Sequence, residues 1–313
     1  MSAPSYSSSG VRKPLRKLDE LLDSRLMAKL DAIDVMSRKI FAGKLQGERK
    51  SRRRGQSVEF ADFRPYAHGD DLRFVDWNIY GRLDRLFLKM FLEEEDLSLV
   101  IAIDSSASMR TGDPDTFDYA RRVAMALGYV GLVNQHRVSL VSFSQGKIER
   151  ATNLRGRRKA ADLAQWLLGL EPEGGSGFED AMRLVGTTRS GRGVMVLLSD
   201  FLFAEGFEKG FGMVAGRGFD VFALQLLSPQ TADPTREGGV SGDLLLVDSE
   251  TASETEVTVT PELLRIYRER LDRLCGALRG YCTRRDITHM VIETSTPVEA
   301  LMLEYLRKRG LLR

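Results

Sequence analysis

The chain has 313 residues, 42% of them apolar and 29% charged, which is enough for one large domain with an appendage. Its formal net charge of +2 is close to balance, so no general affinity for polyanions follows from the total. Met1 to Gly10 is serine-rich without the apolar core of a signal peptide, and no run approaches the roughly eighteen apolar residues of a membrane span, so a cytoplasmic protein is expected. From Leu15 to Ile40, apolar residues at 15, 18, 22, 26, 30, 33 and 40 keep helical spacing with charges between them. This predicts one long amphipathic helix whose stripe packs on the chain's own domain. Residues 1–46 form this amino-terminal region, 47–96 an arginine- and aspartate-rich leader, and 97–313 the main domain.

The leader opens on a basic run, Arg49-Lys50-Ser51-Arg52-Arg53-Arg54. It has no interleaved aromatics to stack on bases, so a solvated loop or a set of partners for nearby acids is the simpler reading, and nucleic-acid binding is the alternative. Such binding would weaken steeply with salt. Further on, Arg64, Arg73 and Arg82 alternate with Asp70, Asp71 and Asp76 around Phe60, Tyr66 and Trp77. The alternation predicts a structural ion-pair network built over the aromatics. His68 stands alone and reads as a turn residue, so no nucleophile–base arrangement accompanies the acids.

Leu97 to Met109 is an apolar run ending in Asp104-Ser105-Ser106-Ala107-Ser108. Aliphatic residues from Leu99 to Ile103 fit a strand covered on both faces. Asp104, Ser106 and Ser108 are two residues apart, so a turn can aim their oxygens at one point. A hard cation such as Mg²⁺ takes about six oxygens and usually keeps some water. One carboxylate and two hydroxyls supply half of that shell. Taken alone, the same motif also reads as a helix cap with loop serines, and partners elsewhere must decide. Two follow: Ser176, in the loop Gly174-Gly175-Ser176-Gly177 before a helix over Phe178–Thr188, and Asp200, which ends a second apolar run from Val194. If the two runs are neighbouring parallel strands, Asp104 and Asp200 emerge at the sheet edge where open α/β folds place ligands.

Between and beyond these runs, a helix with Phe117, Ala120, Ala124 and Leu127 on one face starts near Asp113 or Asp115. A strand over Arg137–Phe143, an antiparallel edge over Lys147–Thr152 and a helix over Arg158–Leu170 follow. A helix over Phe207–Ala215 and a strand over Phe219–Leu226 continue the alternation, which predicts a doubly wound, mostly parallel sheet. Ser228–Gly242 is a loop leaving the metal edge. Short strands over Asp243–Asp248 and Glu256–Thr260, a helix with Leu264, Tyr267, Leu271, Leu274 and Leu278, a strand over Ile287–Ile292 and a helix over Pro297–Arg309 close the chain. Cys275 and Cys282 lie seven apart on one helix, about 10 Å of rise, too far for a disulfide. No G-x-G-x-x-G follows a strand, which disfavours dinucleotide binding.

The pattern Asp104-x-Ser106-x-Ser108, then Ser176, then Asp200 resembles the metal-ion-dependent adhesion site of von Willebrand factor A domains over about Leu97–Leu227. Ser176 stands where that family has threonine, which keeps the oxygen. The resemblance implies that the three hydroxyls touch a Mg²⁺ or Mn²⁺ and that the acids act through water. The succession R-R-R-G, E-F, R-x-Y, G-D-D-x-R, D-W and E-E-E-D from Arg52 to Asp96 resembles, with the rest of the chain, the bacterial family known as domain of unknown function fifty-eight. That resemblance implies the leader joined to a von Willebrand A-like domain, and a MoxR-type AAA+ ATPase or its client as partner. The expectation is therefore a metal-dependent adaptor rather than a catalyst, with metal-assisted hydrolysis at Asp104 and Asp200 as the rival. Ser106 has no visible base, and hydrolysis lacks a proton carrier.

Overall fold

The computed structural model of the chain describes residues 15, 17–37, 59–92, 97–187, 193–203, 206–216, 218–236, 242–247 and 254–313. Arg49–Arg54 and the Glu93–Asp96 run lie outside them. The chain divides into two units, residues 43–96 and a body made of residues 1–42 together with 97–313.

The body is built on a six-stranded sheet of β3 (Ser98–Asp104), β4 (Arg137–Ser144), β5 (Lys147–Leu154), β6 (Gly193–Ser199), β7 (Phe219–Leu227) and β10 (Thr288–Glu293). The spatial order is β10-β7-β6-β3-β4-β5, every pair parallel except the antiparallel edge strand β5. This is the α/β class with a doubly wound, mostly parallel sheet that the alternation of elements predicts. β3, β6 and β7 are buried at every position, as strands covered on both faces must be. Their side chains alternate between two cores. Leu99, Ile101 and Ile103 enter one core with the helix Thr116–Val133, whereas Val100 and Ala102 enter another with the helices Phe178–Thr187 and Glu208–Val214 and with Leu278 and Cys282. β3 pairs with β4 on one side and with β6 on the other, so the winding reverses at the carboxyl end of β3. That end is where Asp104 sits.

The amino-terminal stripe packs on the body, but not as one long helix. Leu18–Leu21 and Ser24–Leu30 are separate, with Leu22 extended between them. Asp23 is the reason, because its carboxylate accepts from the Leu26 amide at 2.7 Å and starts a new helix where the old one would continue. Leu21, Leu22, Leu26, Leu30, Ile33 and Val35 all enter the first core. The segment is fastened by polar contacts as well: Tyr129 donates to Asp31, His136 pairs with Asp34, Ser37 donates to buried Asp220, and Val35 bridges Leu312.

At the carboxyl end, β8 (Gly242–Val247) and β9 (Glu254–Val259) form an antiparallel hairpin of their own. The helix Pro261–Arg284 follows, carrying both free cysteines. The last helical stretch runs Val298–Ala300, then a π turn over Leu301–Tyr305, then Leu306–Lys308.

The second unit contains β1 (Glu59–Pro65) and β2 (Phe87–Leu92), an antiparallel pair with a bulge between Phe60 and Asp62. A 3₁₀ turn, Leu72–Phe74, and a helix, Trp77–Leu83, lie between them in sequence. Two ion pairs of the expected network are formed among the described residues. Arg64 binds Asp70 at 2.7 Å and Arg73 binds Asp71 at 2.6 Å, while Asp76 caps the helix by accepting from Asn78 and Ile79. Arg82 has no acidic partner among the described residues. Trp77 is not a floor under these pairs, since it is 61% exposed. The described elements of the unit, two strands, a 3₁₀ turn and a two-turn helix, leave the indole uncovered.

Candidate metal centre

β3 delivers Asp104 into a fully buried position, where its carboxylate is almost completely occupied. Oδ1 accepts from the Ser106 amide at 2.9 Å and from Ser106 Oγ at 2.7 Å, and Oδ2 accepts from Ser199 Oγ at 2.7 Å. Ser106 Oγ and Ser108 Oγ lie 3.0 Å apart. The two-residue spacing thus does what it predicts for the first three donors, because the Ala107–Met109 turn folds the serines back toward the acid. Burial pushes the Asp104 carboxyl up to about 7, the neighbouring charge of Asp200 pushes the same way, and the hydrogen bonds from Ser199 and Ser106 oppose both. Two carboxylates in a dry site repel, and a cation held between them would remove that repulsion.

The loop that carries Ser176 is fastened to the same turn by its backbone. Glu173 N donates to Ser105 O at 2.9 Å, Ala107 N to Gly174 O at 2.8 Å and Gln145 N to Gly175 O at 2.6 Å. Gly177 is required here, since it has φ +63° and a Cβ would stand 2.5 Å from the Ser144 carbonyl oxygen. Ser176 Oγ is buried and has no hydrogen-bond partner among the described residues. A buried hydroxyl left unpaired is uncommon and calls for a ligand or an ion.

Asp200 follows β6 directly. Its Oδ1 accepts from the Leu202 amide at 3.0 Å, and its backbone carbonyl accepts from Gln225 Nε2 at 2.9 Å. Phe201 beside it takes φ +53°, a left-handed conformation rare for a bulky residue and held by a bond from its amide to Ser199 Oγ at 2.9 Å. Ser199 and Gln225 escape a reading of the motif alone. Ser199 stands one residue before the expected acid, and Gln225 interrupts the apolar run from Val221 to Leu227 on β7. A buried amide in such a run must be paired, and Gln225 is: its Oε1 also meets His289 Nε2 at 3.1 Å.

Among the described residues no three His, Cys, Asp or Glu side chains cluster as a metal site would need. The donor set here is different, with two carboxylates from Asp104 and Asp200 and three hydroxyls from Ser106, Ser108 and Ser176. That set fits a hard cation of the Mg²⁺ type, and it offers neither the imidazole nor the thiolate that zinc prefers. Arg64, Asp70, Asp71, Arg73, Asp76 and Trp77 belong to the other unit.

Relatives extend over most of the chain. The uncharacterized protein Rv1480 of Mycobacterium tuberculosis (strain ATCC 25618 / H37Rv) is 23% identical over 262 residues, covering 81% of this chain and 80% of its own, and the uncharacterized protein Mb1516 of Mycobacterium bovis matches to the same extent. Among solved structures, an aerotolerance-related membrane protein from Bacteroides fragilis NCTC 9343 with multiple mutations to serines is similar at TM-score 0.39 and 14% identity, over 68% of this chain and 99% of that one. The SpRpn10 VWA domain is similar at TM-score 0.36 and 12% identity, over 65% of this chain and 92% of its own. Likenesses of that degree bear on neither ligand nor activity. A family model described as protein of unknown function DUF58 matches residues 62–273, more than half of the chain, and the chain belongs to that family.

Proposed function

We propose that this protein is a metal-ion-dependent protein-interaction module, an adaptor that holds an acidic side chain of its partner at the Asp104–Asp200 edge. The observation that carries the reading is the pairing of a buried, mutually repelling Asp104 and Asp200 with a buried Ser176 hydroxyl that has no partner among the described residues. Asp104, Ser106, Ser108, Ser176 and Asp200 would hold Mg²⁺ or Mn²⁺. When bound, the ion supplies a hard positive centre that a carboxylate from outside can neutralise. The chain's own groups prepare this arrangement. Ser199 and Ser106 orient the Asp104 carboxylate, Gln225 fixes the backbone of Asp200, and Gly177 lets the Ser176 loop lie against Ser144. The partner that the family resemblance suggests is a MoxR-type AAA+ ATPase or its client.

Calorimetry with Mg²⁺ and Mn²⁺ tests the site, and equal heats for wild type and Asp104→Ala would sink it. For the partner, chelation by EDTA, Asp104→Ala and removal of one acid on the ATPase should each weaken the complex. Combined, they should weaken it little further, because all remove one contact. Additive losses, or binding indifferent to EDTA, place the interface elsewhere.

A further inference from the structure

Three of the five donors are tied to one another directly, since Asp104, Ser106 and Ser108 share one turn and its hydrogen bonds. Ser176 and Asp200 reach the same edge on separate segments, the loop before the helix Phe178–Thr187 and the end of β6. A single aromatic ring connects all three. Phe178, two residues after Ser176, is buried together with Phe201, the residue after Asp200, and their rings meet edge to face at 6.1 Å. Phe203 stacks on Phe178 at 4.9 Å. Phe178 also meets Phe143 at 5.9 Å. Phe143 is the register partner of Asp104 on β4, and its carbonyl accepts from the Ser105 amide at 2.9 Å.

The ring is closely held. Gly210, on the helix Glu208–Val214, comes so near that a Cβ there would stand 2.5 Å from Phe178 Cε1. Phe211 packs against both Phe178 and Phe201, at 5.3 and 5.7 Å. This enclosure explains the backbone of Phe201, because a bulky residue at φ +53° persists only where its surroundings over-determine it, and such residues gather at functional sites. Cores packed this densely transmit strain instead of absorbing it. Displacing Phe178 therefore displaces the loop ahead of it or the turn that carries Asp200. A metal feels such shifts unequally: Mg²⁺ demands near-ideal octahedral geometry at about 2.0–2.1 Å, whereas Ca²⁺ accepts looser arrangements at about 2.3–2.6 Å, so the rigidity of the donors decides between them.

We propose that Phe178 is a positioning residue of the metal centre, whose ring, packed among Phe143, Phe201 and Phe203, fixes Ser176 and Asp200 relative to Asp104 and so favours Mg²⁺ over the larger Ca²⁺. This role rests on the metal reading above and assigns the part of the core that sets the spacing of the donors.

The test is calorimetry of the full chain with MgCl₂ and with CaCl₂. Phe178→Leu keeps an apolar side chain in the core and removes the ring. Gly210→Ala suits a helix better than glycine does, yet pushes the ring without touching a donor. Each should weaken Mg²⁺ binding roughly tenfold or more, as changes just outside the ligands of a metal do. Ca²⁺ binding should weaken by a smaller factor, so the ratio of the two affinities falls. Val185→Ala, about 10 Å further along the Phe178–Thr187 helix, loosens the same core and should leave the ratio as in wild type. If Phe178→Leu does not fold, Gly210→Ala decides. A wild type that binds no Mg²⁺ refutes the metal site itself and this role with it. Wild-type binding with an unchanged ratio in the Phe178 and Gly210 variants, or with the same fall in Val185→Ala, overturns the role of Phe178 and leaves the metal site standing.

Discussion

Replacing Asp104 by Asn should make the metal-free protein more stable, and the gain should grow with pH. The Asp104 carboxyl has an ordinary value of 3.8 and is pushed up to about 7 in the fold by burial and by Asp200. Between those two values the folded chain keeps a proton that the unfolded chain has lost, so wild-type stability is highest below about pH 4 and falls as pH rises through 7. About three pH units at roughly 1.4 kcal/mol each give a loss of at most about 4 kcal/mol. Asn stays neutral throughout and still accepts from Ser106, so the difference between variant and wild type should be near zero at pH 4 and approach that figure at pH 8. Denaturant melts in EDTA across this range measure it, the midpoint displacement multiplied by the slope giving the free energy. Taking the difference cancels His289, which burial pushes down to about 4 and which acts in the opposite direction over nearly the same window. A difference that does not change with pH, or an Asn variant less stable than wild type at pH 8, would refute the reasoning. It would mean that an ionised Asp104 is fully satisfied in the metal-free fold.

Ser176→Ala removes a buried hydroxyl that has no partner among the described residues, so the metal-free protein should be unchanged or gain up to about 1 kcal/mol, while the rise in melting temperature with Mg²⁺ should shrink. A destabilised metal-free variant would show that the hydroxyl is already paired. In the 43–96 unit, Asp76→Ala should cost about 1 kcal/mol by uncapping the Trp77–Leu83 helix, and Trp77→Ala should be nearly neutral because the indole is exposed. Hydrogen exchange of the helix amides distinguishes the two, and a larger loss from Trp77→Ala would mean that the ring is covered in solution.

The sheet was legible because fully buried strands leave an unmistakable trace: Leu99 to Ile103, Val194 to Leu198 and Phe219 to Leu226 are long apolar runs with a polar residue at or next to their ends. The cluster of Asp104, Ser106 and Ser108 follows from spacing, which a tight turn converts directly into proximity. What spacing does not carry is competition between local and distant demands. The periodicity from Leu15 to Ile40 is helical throughout, yet Asp23 satisfies a free amide better than it continues a helix, and the segment breaks there. Trp77 reads as a core residue by type, yet the described elements of its unit leave it uncovered. Gln225 looks like a flaw in an apolar strand until the Asp200 carbonyl and His289 are seen to claim both ends of its amide.

The pairing of Val35 with Leu312, and of Asp34 with both His136 and Arg313, closes the body on itself through segments from opposite ends of the sequence. The 43–96 unit is therefore an insertion into a fold whose first and last parts complete each other. A fragment beginning at Leu97 would contain every strand of the six-stranded sheet and still lack Leu21, Leu22, Leu26, Leu30 and Ile33, leaving one flank of the Thr116–Val133 helix bare to water. The 43–96 unit, by contrast, contributes none of the described residues of either core. Boundaries drawn by order along the sequence and boundaries drawn by burial differ in this protein, and the second kind tells which pieces can be made alone.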